Sequence, residues 1–205
     1  MDAITIPPTR AADVEPAKDF LFSVYGEGLW TEERYLDLSG RTNRIIELSE
    51  GRLIVPPMPT PEHQDVVGAL YLILRAWARR HGGRAFVAAL PVRLWAGKFR
   101  EPDVILYTRE HTDRIEKQYA GVPDLAVEVL SPSTEKVDLA EKMQEYAEAG
   151  IPEYWIVDAE SPRLEQYVLA QGRYTDWARY GPGETVRAAT LADLEFPLAQ
   201  LYAQE

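Results

Sequence analysis

Residues 100–158 constrain this chain most, because they set carboxylates inside runs that otherwise belong to a protein interior. REPDVILY, VPDLAVEVLSPST and GIPEYWIVD each contain an apolar run of strand length. Asp103 opens the first and Glu128 sits within the second, flanked by Val127 and Val129. Strands buried on both faces read as near-continuous apolar runs. A carboxylate placed there is costly unless it is paired or binds a metal. Two of them in neighbouring runs point to a divalent-cation site, and a nearby lysine would complete the equipment for cleaving a phosphodiester.

Length and composition bound the rest. The 205 residues, 46% hydrophobic and 27% charged, predict one soluble globular domain spanning 1–205. With no cysteine, disulfides and thiol chemistry are excluded. The first residues, MDAITIPPTRAADVEP, have neither the basic start nor the apolar centre of a signal peptide, and no apolar run nears the roughly 18 residues of a membrane span. A cytoplasmic protein with no membrane partner is the expectation. The net charge of −11 weighs against tight, sequence-independent nucleic-acid binding, which draws on Lys and Arg.

Along the chain, residues 1–30 read as an N-terminal arm, 31–170 as the core and 171–205 as C-terminal strands. Thr31 can cap a short helix through Leu38, and RIIEL and RLIVP around Ser49-Glu50-Gly51 read as a hairpin over 45–55. Thr60 and Pro61 start a helix whose stripe (Val66, Val67, Leu70, Ile73, Leu74, Trp77) runs to Gly82-Gly83. Strand-like runs follow at 85–90, 92–95, 103–107 and 124–130. SPST then supplies caps for a helix over 135–149, stopped at Gly150, before a buried strand at 154–157. The remainder alternates like an antiparallel meander. This order predicts an α/β protein with a mixed sheet and helices on its faces.

Asp103 and Glu128 could hold magnesium, with waters and a substrate phosphate completing the shell. An alternative stands beside this: Glu128 pairs with a core arginine or lysine, and Asp103 is a turn residue. Asp138, Lys142 and Tyr146 form one helical row beside the stripe of Leu139, Met143 and Ala147, so Lys142 can reach the sheet end. The alternative is a surface Asp138–Lys142 pair. Glu47 is a third candidate carboxylate or an exposed strand residue, and His63 a phosphate or water contact or a local cap. Arg75, Arg79, Arg80, His81 and Arg84 form the densest basic patch, readable as phosphate contacts or as the cations that a helix C-terminus favours. No HExxH, glycine-rich phosphate loop or GxSxG elbow is present.

RIIELSEGRLI, PTPEHQDVVGALYLIL, REPDVILY, VPDLAVEVLSPST, the spaced Asp138 and Lys142, and GIPEYWIVD together resemble the PD-(D/E)XK nuclease superfamily. The likeness is to the bacterial restriction-endonuclease family, abundant in cyanobacteria and long catalogued as a domain of unknown function. It covers roughly residues 31–170. The resemblance implies a restriction-endonuclease-like αβββαβ core with an N-terminal hairpin and a C-terminal antiparallel extension. It also implies Asp103 and Glu128 as ligands of Mg2+ or Mn2+, with Glu47 and His63 in or beside the site. Leu130 stands where the superfamily places its lysine, so Lys142 on the following helix becomes the replacement. The expected activity is metal-dependent endonucleolytic cleavage, of DNA, by a homodimer. A non-catalytic module of the same fold and a hydrolase of smaller phosphoesters are the alternatives.

Overall fold

The computed structural model describes residues 29–42, 44–130 and 137–203. The expected N-terminal arm up to Gly28 and the SPST caps therefore lie outside the described residues. Helix α1 (Glu32–Ser39) begins at Thr31, whose side chain accepts from the Arg34 N–H. The hairpin is β1 (Glu47–Ser49) and β2 (Arg52–Ile54). Its turn residues Glu50 and Gly51 have φ of 50° and 77°, the left-handed pair that suits a tight two-residue hairpin. Helix α2 (Pro61–His81) starts at the Thr60 cap, with Pro61 in its first turn.

Five strands separate α2 from the next helix: β3 (Arg84–Val87), β4 (Val92–Trp95), β5 (Lys98–Arg100), β6 (Val104–Tyr107) and β7 (Leu125–Leu130). Helix α3 (Val137–Ala149) leads to β8 (Glu153–Asp158), followed by β9 (Leu164–Ala170), β10 (Arg173–Tyr180), β11 (Thr185–Arg187) and β12 (Glu195–Pro197). The large sheet has the order β10-β9-β8-β7-β6-β3, antiparallel except for the β7–β8 pair that α3 connects. The αβββαβ core is thus α2-β3-β6-β7-α3-β8. Strands β4 and β5 leave it for a second sheet, β2-β1-β5-β4. The run expected at 85–90 ends at Val87, and β5 is a strand that a Lys-Phe-Arg triplet does not announce.

Strand alternation sorts the core into two layers. Leu125, Val127 and Val129 face α2 and the C-terminal segment, in a cluster with Leu70, Leu74, Trp77, Trp155 and Phe196. Ala126 and Leu130 face α3, with Ile105, Tyr146 and Tyr154. Glu128 shares their parity. A third cluster (Tyr35, Leu38, Ile46, Leu48, Phe99) joins α1 to the second sheet.

Gly83 packs against the edge pairing of β3 with β6. A Cβ there would lie 2.3 Å from the Tyr107 carbonyl oxygen, a backbone atom that cannot swing away. Gly83→Ala is expected to destabilise the protein by about 1–3 kcal/mol, the range for overpacking. Urea denaturation measures this, and an unchanged midpoint would contradict the close approach.

Candidate active site

The β6–β7 register pairs Val104 with Val127. Continued by one residue, it sets Asp103 across from Glu128. Asp103 Oδ2 accepts the Val129 N–H at 2.7 Å, and its Oδ1 lies 3.1 Å from Nε2 of His63, in the first turn of α2. From α3, Lys142 donates to Glu128 Oε2 at 3.1 Å and the Tyr146 hydroxyl donates to Oε1 at 2.7 Å. Lys142 is 6% exposed, so it belongs to the interior rather than to a surface ion pair. The side chain of Asp138 lies outside the described residues. A cavity of about 330 Å³ is bordered by Glu47, His63, Glu101, Asp103, Glu128 and Lys142.

Glu47 is not an exposed strand residue: it is 1% accessible. Its Oε2 accepts from Arg100 Nη1 at 2.7 Å, its Oε1 accepts the Glu101 N–H at 3.1 Å, and Lys142 Nζ lies 3.7 Å away. Burial pushes the Glu47 carboxyl up, but Lys142 and Arg100 outweigh it and hold the group below its ordinary range. Arg100, fully buried, also binds Glu145 through Nε (2.7 Å) and Nη2 (3.1 Å), and Glu141 through Nη2 (2.9 Å). Lys98 adds an ion pair to Glu145 and donates to the Ser49 hydroxyl. Two strand cations thereby fasten α3 to the second sheet and aim Lys142 at Glu128.

Electrostatics separates the site carboxylates. Burial raises the Glu128 carboxyl; Lys142 opposes this while the Asp103 charge adds to it, and the result is about 7. For His63, burial disfavours the cation, but the hydrogen bond to Asp103 and the charges of Asp103 and Glu128 prevail, so its pKa is raised. Glu101 was not singled out from the sequence. Its Oε1 accepts from Tyr35 at 3.3 Å, while its Oε2 is buried with no hydrogen-bond partner. Burial, reinforced by the Glu47 charge, lifts this carboxyl to about 8. The signal in the sequence was its position beside Arg100 and Asp103. Asp124, in the other Pro-Asp pair, is remote in function: it accepts from the Thr108 N–H and hydroxyl and contacts His111.

A divalent ion would find two hard oxygen donors here, Asp103 and Glu128, the latter raised to about 7 by burial first and then by the Asp103 charge. Among the described residues no group of three or more His, Asp or Glu side chains is gathered to hold a metal. Two protein carboxylates suit magnesium, which keeps several waters and takes substrate phosphate oxygens.

The Uma2 family model, described as "Putative restriction endonuclease", matches residues 32–199. The chain belongs to the Uma2 family. A crystal structure described as a putative nuclease belonging to DUF820, from Anabaena variabilis ATCC 29413, is similar with a TM-score of 0.65. The match covers 82% of this chain and 96% of that one, at 18% identity, which speaks for the fold alone. The fold of this Uma2 protein is restriction-endonuclease-like, as the resemblance implied. No curated protein matches the chain. No helix among the described residues is long and apolar enough to cross a membrane.

Two outcomes test this network. Arg100→Met leaves Glu47 and Glu145 buried without their guanidinium and is expected to cost about 3–5 kcal/mol. Adding Glu47→Gln and Glu145→Gln should recover part of that in urea melts; a loss under about 1 kcal/mol would remove Arg100 as the fastening group. Between the ordinary Glu value of 4.5 and about 8, folded Glu101 holds a proton that the unfolded chain has released. Stability therefore falls as pH rises through that window. Glu101→Gln should raise the melting temperature little near pH 4.5 and progressively more up to about pH 8. A gain independent of pH would mean that Glu101 folds ionised.

Proposed function

We propose that this protein is a metal-dependent endonuclease that hydrolyses phosphodiester bonds in DNA. The observation that carries the reading is the meeting of Glu128 from β7 with Lys142 from α3, beside Asp103, at one cavity. Asp103 and Glu128 would hold Mg2+ or Mn2+, which when bound lowers the pKa of water and neutralises charge on the scissile phosphate.

The chain's own groups have separate tasks. His63 and the Val129 N–H fix the Asp103 carboxylate, one oxygen each. Tyr146 and Lys142 do the same for Glu128, which borders the cavity. Lys142 is the positioning cation: its ammonium, held beside Glu128 at the cavity, can orient the attacking water or offset charge on a phosphate oxygen. Glu47, 3.7 Å from that ammonium, helps hold it in place. Cutting both strands of a duplex with one Asp103–Glu128 site per chain calls for two copies, so the working form is a homodimer.

Nicking of supercoiled plasmid in magnesium and then manganese tests the reading. The native chain is expected to nick, and Asp103→Asn, Glu128→Gln and Lys142→Met should each lose roughly a hundredfold or more in rate while staying folded. Normal cutting by Lys142→Met would remove the lysine from the mechanism. Normal cutting by Glu128→Gln would remove the site. If nothing cuts, and calorimetry detects no metal binding that depends on Asp103 and Glu128, the chain is a non-catalytic module of this fold.

A further inference from the structure

No Asp or Glu occurs between Asp65 and Glu101, in a chain whose net charge is −11. That span holds Arg75, Arg79, Arg80 and Arg84, all exposed. Among the described residues none of the four forms an ion pair. Arg75 instead donates to the Tyr71 hydroxyl at 3.1 Å, and the Arg84 guanidinium lies 4.7 Å from the centre of the Phe86 ring. The helix macrodipole accounts for Arg79 and Arg80 in the last turn of α2. Its influence falls off within that turn, so it does not account for Arg75, nor for Arg84 on β3.

The placement of these cations follows the active site. His63, Val67, Tyr71, Arg75 and Arg79 recur every four residues and so form one row along α2. His63, Val67 and Tyr71 border the cavity of Asp103 and Glu128. Tyr71, Arg75 and Arg79, with Arg84 and Phe86 from β3, border a second cavity of about 320 Å³. Tyr71 is the shared wall, and β3 is the open edge of the large sheet, so nothing in the sheet covers the groove.

We propose that this groove carries the sugar–phosphate backbone of the strand whose phosphodiester enters the cavity, with Arg75, Arg79 and Arg84 on its phosphates. The inference rests on the nuclease reading and adds the path of the substrate. From His63 to Arg79 the row spans about 24 Å at 1.5 Å per residue. That is roughly seven nucleotides at about 3.4 Å per step. The rings of Tyr71 and Phe86 lie under the Arg75 and Arg84 guanidinium groups, at 5.5 and 4.7 Å, and help hold these cations along the groove. An acidic chain thus concentrates its phosphate affinity along one line that ends at the reacting group.

The test is fluorescence anisotropy of a labelled DNA duplex with calcium replacing magnesium, over a series of salt concentrations. The native chain is compared with Arg75→Ala/Arg79→Ala/Arg84→Ala, with Arg79→Glu, and with Arg52→Ala/Arg173→Ala, whose arginines are exposed elsewhere. Each phosphate contact contributes about 0.9 to the slope of log affinity against log salt. The triple variant is expected to lose roughly 2–3 from that slope and at least tenfold in affinity, and Arg79→Glu to weaken binding on its own. The Arg52/Arg173 variant should behave as native. Native slope and affinity in both groove variants would overturn the track while leaving the nuclease reading intact. No DNA binding by the native chain at low salt would overturn the track as well, and plasmid nicking then decides the nuclease reading separately.

Discussion

A guanidinium with no access to water organises this molecule. Arg100 stands on β5 and reaches Glu47 on β1 and Glu145 on α3, with Glu141 beyond. Removing such a group from water is expensive, and only full pairing returns the free energy. The pairing in turn dictates where α3 can dock. Two strands of the second sheet and a helix meet at one side chain, and that meeting helps set the orientation of Lys142.

Two strand carboxylates show how burial alone fails to mark a chemical site. Glu153 on β8 is as buried as a residue can be, yet the chain surrounds it with donors. These are the N–H groups of Ala189 and Thr190, the Thr190 hydroxyl, the Trp155 indole and the Gln166 amide. That carboxylate ties the C-terminal segment to the sheet and has no lone pair to spare for a cavity. Glu128 has two side-chain partners and borders open space. The difference lies in what faces the unused lone pairs.

The sequence made some of this legible and hid the rest for physical reasons. Helices α1 and α2 and the hairpin were readable because their signals are local: Thr31 and Thr60-Pro61 as caps, Glu50-Gly51 as a turn. Strands β6, β7 and β8 showed as apolar runs. The direction of Lys142 followed from its place beside the stripe of Leu139, Met143 and Ala147, and at 6% exposed it is not a surface residue. By contrast, β5 reads Lys-Phe-Arg, and charged strands are recognisable only once their partners on distant elements are known. Glu47 and Glu101 were ambiguous or overlooked on the same ground, since a glutamate in a short strand looks alike whether it faces solvent or an arginine contributed from fifty residues away. The alternation that puts position 130 on the face of Glu128 was legible, and a leucine there leaves the strand without the motif's lysine.

The placement of Lys142 has a bearing on how the protein is made. A lysine two residues from the glutamate would travel with it on one strand, and the reacting charges would be neighbours in any partly ordered chain. Here the carboxylates sit on the sheet and the ammonium on a later helix, brought together by the Lys142 and Tyr146 hydrogen bonds to Glu128 and by the Arg100 and Lys98 pairs with Glu145. On the proposed reading, a ribosome-bound fragment ending before α3 carries both metal ligands yet no competent centre. The centre of that reading is therefore a product of tertiary assembly, complete only when α3 packs on the sheet.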